Sequence, residues 1–176
     1  KNEKDAKLKK LHGKFDRVLA DVPCSGTGTF RRNPDLKWKN SIQDLDELNL
    51  KQLAILDEAK KLVKKEGRLI YSTCSLLKRE NALIIESFLE KNRNFKIISV
   101  NDILIKNQIP LSTGIFLELT PNNQKTDGFF AAVLERIDSK INVYTLIFQC
   151  KVLFFSSQSK ALDLFFVMAR YQSVPQ

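Results

Sequence analysis

The run Asp21-Val22-Pro23-Cys24-Ser25-Gly26-Thr27-Gly28 constrains this chain more than any other stretch. It follows Phe15-Asp16-Arg17-Val18-Leu19-Ala20, an apolar segment that reads as a buried strand. A carboxylate, a rigid proline, a thiol and a Gly-rich turn therefore sit together just past a strand's carboxyl end. In an open α/β sheet that is where ligands bind. A second apolar run, Arg68-Leu69-Ile70-Tyr71, ends in the same way, in Ser72-Thr73-Cys74-Ser75. Between the two, from Ser41 to Lys65, the apolar residues Leu45, Leu48, Leu53, Leu56, Ala59 and Val63 recur at helical spacing. Ser41 is the predicted cap, with Asp44 three residues on, and Gly67 is the predicted stop. A strand–helix–strand crossover within one sheet makes its strands parallel. Their carboxyl ends then share one edge. If the strands are also neighbours, the loops of Cys24 and Cys74 face each other across a sequence gap of 50 residues.

The remaining pattern fills in an α/β domain. Residues 1–14 are a charged lead-in with six lysines and two acids. A mixed basic and aromatic segment, Phe30 to Lys39, follows the first loop, and Pro34 rules out an undisturbed helix or central strand there. A second helix is expected from Arg79 to Lys91, with Leu83, Ile84, Phe88 and Leu89 on its apolar face. Phe95 to Val100 and Gly114 to Leu119 read as further strands. Thr126-Asp127-Gly128 reads as a turn into a last strand, Phe129 to Glu135. There is no internal repeat. Beyond about Asp138 the composition changes: residues 139–176 hold one acid, Asp163, and five of the twelve phenylalanines. The tail 138–176 is either an extra packed element or sequence foreign to the domain, the second being slightly favoured, and no chemistry is assigned to it.

Several function classes fall away on composition. A net charge of +9 favours a polyanionic partner, nucleic acid before membrane, against the alternative of lysines that are merely solvated. Three widely spaced cysteines with no C-x-x-C suggest neither a disulfide framework nor a zinc knuckle, and reduced thiols in a cytoplasmic compartment fit best. His12 is the only histidine and lies among lysines, which nearly removes Ser-His-Asp and Cys-His catalysis and histidine-rich metal sites. No run reaches the ~20 apolar residues of a membrane span. The chain opens on Lys1 rather than Met, and it reads as a piece of a longer polypeptide.

Two thiols at one ligand edge, beside a carboxylate, form a catalytic arrangement to be weighed against core packing, since cysteine is among the most buried residue types. One thiol can add to an electron-poor carbon while the other assists removal of the product. Without histidine, thiolate character must come from backbone N–H groups, helix N-termini or nearby Lys and Arg. Asp21 is expected to raise a neighbouring thiol's pKa, with Arg31, Arg32 and the helix starts opposing it. A cysteine-phosphatase loop fails on spacing, since Arg31 comes one residue too late. A Walker phosphate loop fails because no Gly-Lys-Ser/Thr occurs.

At these residues a resemblance emerges. Asp21 to Gly28, followed by Arg31-Arg32-Asn33-Pro34-Asp35-Leu36-Lys37-Trp38, resembles the fourth motif of the RsmB/NOP2/Sun family of RNA cytosine-5 methyltransferases. Tyr71-Ser72-Thr73-Cys74-Ser75 with Glu80-Asn81 is similar to their sixth motif, and Thr126-Asp127-Gly128-Phe129-Phe130-Ala131 to their closing strand. Order and spacing agree from about Lys14 to Arg136, and the Arg-Arg-Asn-Pro-Asp-Leu-Lys-Trp segment leans toward the bacterial RsmB (Sun) branch, whose substrate is small-subunit ribosomal RNA.

The resemblance implies the carboxyl-terminal half of a doubly wound, Rossmann-like class I methyltransferase fold over 15–137, α/β, with a mixed sheet and an antiparallel last strand. It implies S-adenosyl-L-methionine as cofactor and RNA as partner, ribosomal first and transfer RNA second, with no membrane and no metal. Cys74 would be the nucleophile toward C6 of cytosine, and Cys24 would help break the covalent adduct after C5 loses its proton. Asp21 would contact the cofactor first, with cytosine positioning as its other role. Arg31, Arg32, Lys37 and Trp38, with Phe30, would hold RNA by phosphate contact and stacking, although Trp38 reads equally well as a core residue. The family's Gly-rich cofactor loop lies upstream of the first strand, and nothing before Phe15 matches it. The amino-terminal half of the domain is thus expected to be missing and the chain alone inactive. Lys78-Arg79 stand where the family usually has Pro-Glu. The rivals are a non-catalytic RNA-binding remnant and a DNA cytosine-5 methyltransferase, which would use Cys24 as nucleophile.

Overall fold

The two cysteine loops are positioned by a parallel pair of strands, and the rest of the fold packs around that pair. A computed structural model describes residues 8–38 and 41–137. The elements run β1 (Phe15–Asp21), two 3-10 turns (Thr27–Thr29 and Pro34–Trp38), α1 (Ile42–Leu62), β2 (Val63–Thr73), a 3-10 turn (Lys78–Glu80), α2 (Ala82–Lys91), β3 (Phe95–Ile98), α3 (Val100–Lys106), β4 (Leu117–Leu119), α4 (Pro121–Gln124) and β5 (Phe129–Arg136). The sheet order is β1-β2-β5-β3, with β4 also paired to β5. β1 and β2 are parallel, with Ala20 opposite Tyr71 and Asp21 opposite Ser72. β5 runs antiparallel to β2, β3 and β4. The fold is therefore mixed α/β with an antiparallel last strand, as the motifs imply. The tail 138–176 and the first seven residues of the lead-in lie outside the described residues.

α1 begins where expected. The Ser41 hydroxyl accepts from the Asp44 N–H, and the Asp44 carboxylate accepts from the Ser41 N–H at 2.8 Å, closing a capping box. Its end differs from the expectation. The helix stops at Leu62, and β2 starts at Val63 with Gly67 inside it, because Val63 already pairs with Phe15 of β1. The left-handed residue of the irregular stretch is Glu66 (φ 59°), not the glycine. Gly67 is needed for room: a Cβ there would come within 2.9 Å of the Lys64 carbonyl and 3.0 Å of that of Phe15.

Gln52, Leu56 and Ala59 form the buried stripe of α1, at i, i+4 and i+7. They meet Leu69 and Tyr71 of β2, Ile84, Ile85 and Phe88 of α2, and Phe130 and Leu134 of β5 in one core. On α2 the expected apolar face is rotated. Leu83 is 49% exposed and Ile85 is fully buried, because the helix starts at Ala82 after a separate 3-10 turn rather than at Arg79. Val100 opens the short helix α3 instead of ending a strand, and β4 covers only Leu117–Leu119 of the expected Gly114–Leu119.

The other sheet face is less well covered. Leu19, Ile70, Val133 and Ile98 lie side by side across four strands, and none of them is buried. Leu19 is 66% exposed, and β1 has a neighbour on one side only among the described residues.

Replacing Leu56 with Ala is expected to destabilise the chain by about 2–5 kcal/mol. Leu83→Ala, on the exposed side of α2, should stay within about 0.5 kcal/mol. Urea unfolding of the two variants against the parent checks both values.

Candidate active site

The parallel register sets the levels of the two loops. Both strands end at the same height, and the chain leaves β1 through Val22, whose N–H donates to the Ser72 carbonyl at 3.1 Å, extending the ladder by one rung. The loops are then stitched by backbone: the Gly28 N–H donates to the Cys74 carbonyl at 2.8 Å, and the Gly128 N–H donates to the Gly28 carbonyl at 2.8 Å. A Cβ on Gly28 would lie 2.5 Å from the Gly128 carbonyl oxygen and 2.7 Å from that of Cys74. Only glycine admits that approach. Gly26, with φ +70°, turns the chain back toward it.

The result is a thiol pair. The Sγ atoms of Cys24 and Cys74 are 3.3 Å apart, and both side chains are half-buried and unoxidised. Burial first, then the contact with Cys74, pushes the Cys24 thiol up to about 12, with the Gly26 N–H as a smaller opposing influence. Asp21, Arg31 and Arg32, expected to tune this thiol, are not among the leading causes of the shift. Desolvation and the second sulfur take their place.

Beneath the thiols lies a polar network that the sequence reading did not foresee. Glu80 is fully buried. Its Oε1 accepts from the Ser25 N–H at 2.8 Å and from Gln52 Nε2 at 3.1 Å; its Oε2 accepts from the Ser25 and Ser75 hydroxyls, each at 2.5 Å. Gln52 also donates to the Pro23 carbonyl at 3.0 Å, and the Thr27 hydroxyl oxygen accepts from the Leu76 N–H at 2.8 Å. Asn81 holds the other side of the Cys74 loop, donating to the Ser75 carbonyl at 2.8 Å and accepting from the Thr73 hydroxyl at 2.6 Å. The signal in the sequence was Glu80-Asn81 following the thiol at fixed distance.

The remaining expected site residues are placed as follows. Asp21 stands exposed at the end of β1 on the cysteine edge, accepting from the Ser72 hydroxyl at 3.2 Å. Arg32 pairs with Asp127 at 2.5 Å and Arg31 reaches the Thr126 carbonyl at 3.4 Å, so both brace the loop before β5. Trp38 is 83% exposed, which removes the core reading, and the Lys37 ammonium lies 5.2 Å from its ring centre. Phe30 is partly exposed at the same end. A cavity of about 440 Å³ opens at the opposite edge, between His12, Lys60, Asn92 and Arg136. Its cations are already engaged: Lys60 by Asp57 and Asn92, and Arg136 by the Val63 carbonyl. Among the described residues no three His, Cys, Asp or Glu side chains cluster as metal ligands do, and no helix is long and apolar enough to cross a membrane.

Comparison with known proteins gives a consistent result. The family model described as 16S rRNA methyltransferase RsmB/F matches residues 2–135. Ribosomal RNA small subunit methyltransferase B of Shewanella oneidensis is 42% identical over 120 residues, covering 68% of this chain and 27% of its own length. The probable ribosomal RNA small subunit methyltransferase B of Bacillus subtilis is 37% identical over 127 residues, covering 69% of this chain and 28% of its own length. The chain thus spans about a quarter of the length of these relatives. Among solved structures, NSun6 from Pyrococcus horikoshii, determined with SFG, superposes with a TM-score of 0.61 at 25% identity, over 76% of this chain and 33% of that one. A methyltransferase homologue from Pyrococcus horikoshii gives 0.53 at 28% identity, over 70% of this chain and 39% of that one.

A thiol whose pKa is raised is mostly protonated at pH 8 and alkylates slowly. Cys24 is therefore expected to react with iodoacetamide more slowly than an unfolded thiol, and faster once Cys74→Ala removes the contact that raises its pKa. Mass spectrometry of the Cys24 peptide at several pH values gives both rates.

Proposed function

The chain belongs to the 16S rRNA methyltransferase RsmB/F family, and from that premise we propose that the complete protein methylates C5 of a cytosine in RNA, ribosomal RNA first, through a covalent bond between Cys74 and C6. The observation that carries this reading is the 3.3 Å contact between two sulfurs at the carboxyl edge of a parallel strand pair. C5 of cytosine is a poor nucleophile. Addition of the Cys74 sulfur to C6 forms an S–C6 bond and moves the C5–C6 π electrons onto C5, which can then accept a methyl group. Loss of the C5 proton and rupture of the S–C6 bond restore the ring and free Cys74. Cys24, in contact with the departing sulfur, is the group placed to assist that release. The assignment of Cys74 as nucleophile and Cys24 as its helper follows the family's motifs, and the raised proton affinity of Cys24 accords with the proton-bearing role. The reverse assignment, as in a DNA cytosine methyltransferase, would ask the thiol with the raised pKa to attack.

S-adenosylmethionine would supply the electrophilic methyl group, and Asp21 is the residue here that would touch it. The rest of the pocket would belong to an amino-terminal part of the same domain, with residues 15–137 forming its carboxyl-terminal part. Two features support that division. β1 presents an unpaired edge among the described residues, and the Leu19–Ile70–Val133–Ile98 row is open, whereas parallel sheets are ordinarily covered on both faces. A further parallel strand and its helix would close both. The target base must leave any stack to reach the thiols, and Trp38, Phe30 and Lys37 are exposed at that end to receive RNA. Reduced thiols accord with a cytoplasmic enzyme.

In the complete protein, Cys24→Ala should accumulate a covalent RNA adduct that survives denaturing electrophoresis, and Cys74→Ala should form none. An adduct through Cys24 would instead favour the DNA-type assignment, and none in either variant an RNA binder. The 176-residue chain by itself should show no methyl transfer to RNA from labelled S-adenosylmethionine; robust turnover without an added amino-terminal part would overturn the half-domain reading.

A further inference from the structure

We propose that Glu80 is a positioning residue of this centre: one buried carboxylate sets the separation of the two thiols by holding the residue that follows each of them. The inference rests on the reading of Cys24 and Cys74 as the reactive pair, though its geometric part stands without it. Ser25 and Ser75 are the immediate successors of the two cysteines, and their hydroxyls donate to the same oxygen, Oε2, at 2.5 Å each. The other oxygen takes the Ser25 backbone N–H and the Gln52 amide, which fixes the carboxylate against α1. Glu80 is fully buried, and Ser25 and Ser75 are 3% and 1% exposed, so water does not compete for these contacts.

Three separate segments thus converge on a side chain that touches neither sulfur. The two hydroxyls that meet at this oxygen also lie 3.3 Å from each other. The β1–β2 ladder fixes the height of the strand ends, but each loop has still to turn its thiol inward. A hydroxyl bond to a shared anchor on each successor restricts that turn. Since reacting groups must be held to within about 0.5 Å for full rate, loosening one tether should be felt at the thiols while the core below is left packed. Gln in place of Glu keeps the shape and one carbonyl oxygen. It replaces Oε2 with an NH₂ that cannot accept the two hydroxyl protons.

The spacing can be read without RNA by using phenylarsine oxide, which binds two neighbouring thiols with formation of two As–S bonds and release of one water. In the 176-residue chain carrying Cys150→Ser, so that only the pair remains, tight binding is expected and should be lost in Cys24→Ala and Cys74→Ala. Glu80→Gln should weaken binding about tenfold while the two thiols are still counted in full under denaturing conditions and the melting curve stays cooperative. Should Glu80→Gln fail to fold, Ser75→Ala, which removes one hydroxyl, gives the same reading with a smaller loss. In the complete enzyme, Glu80→Gln should lower kcat by 10- to 100-fold, on the order expected for a misplaced reacting group, with KM for RNA unchanged. Folded Glu80→Gln or Ser75→Ala protein that binds the arsenical as tightly as the parent would overturn the proposal. Weakened arsenical binding with no covalent RNA adduct in Cys24→Ala would leave Glu80 as the spacer of the pair and remove the catalytic reading instead.

Discussion

Everything at this site depends on the parallel pairing of β1 with β2. Two loops 50 residues apart reach sulfur contact only because Asp21 and Ser72 stand opposite each other, and the chain turns out of both strands at one level. Side chains in a strand alternate between faces, so a slip of one residue would send every side chain of β1 to the other face of the sheet. Ala20, now in the core, would exchange sides with the exposed Leu19, and Cys24 would move away from its partner. The alternation of Leu69 and Tyr71 with Ile70 and Ser72 therefore fixes chemistry as well as packing.

Above that ladder the loops are held by polar contacts rather than apolar ones, and the energetics explain why this requires several partners at once. A carboxylate removed from water without compensation costs several kcal/mol, whereas a hydrogen bond to a charged group contributes about 1.5–3 kcal/mol. Four donors on Glu80 bring the two into rough balance. A network near balance adds little to net stability but excludes nearly every arrangement in which one donor is misplaced, because each orphaned group costs its full desolvation. Tyr71 shares in this. Its hydroxyl donates to the Glu80 carbonyl at 2.5 Å, while burial and the nearby carboxylate push its pKa up, so it remains a donor. The backbone stitch from Cys74 through Gly28 to Gly128 extends the same restriction to the closing strand, with no room for a side chain at the crossing.

Much of this was legible from residue order. The strand ending at Asp21, the capped helix from Ser41 and the convergence of Cys24 with Cys74 follow from periodicity and from the geometry of a crossover. The errors share a cause: local signals were overruled by contacts and turns that the local pattern does not show. Gly67 looks like a helix stop, yet Val63 leaves the helix earlier because Phe15 is there to pair with it. Leu83 looks like a core residue, yet a 3-10 turn at Lys78–Glu80 shifts the phase of α2 and brings Ile85 inward. Glu80 was the hardest to foresee. A glutamate in a Lys-Arg-Glu sequence carries every local mark of a solvated residue, and its burial depends on partners remote in sequence, Ser25 of the neighbouring loop and Gln52 of α1.

The same geometry breaks the symmetry of the thiol pair. Two sulfurs 3.3 Å apart cannot readily both ionise, because the second charge would form beside the first in a half-buried setting. One proton is therefore retained, and the environment decides which sulfur keeps it. Cys24 lies on a loop drawn inward by Gly26 and by the Ser25–Glu80 contacts, so burial acts on it first and the neighbouring thiol second. Its protonated form is stabilised on both counts. A reaction that needs one proton-bearing sulfur is served by a pair in which burial and the second sulfur hold a proton on Cys24.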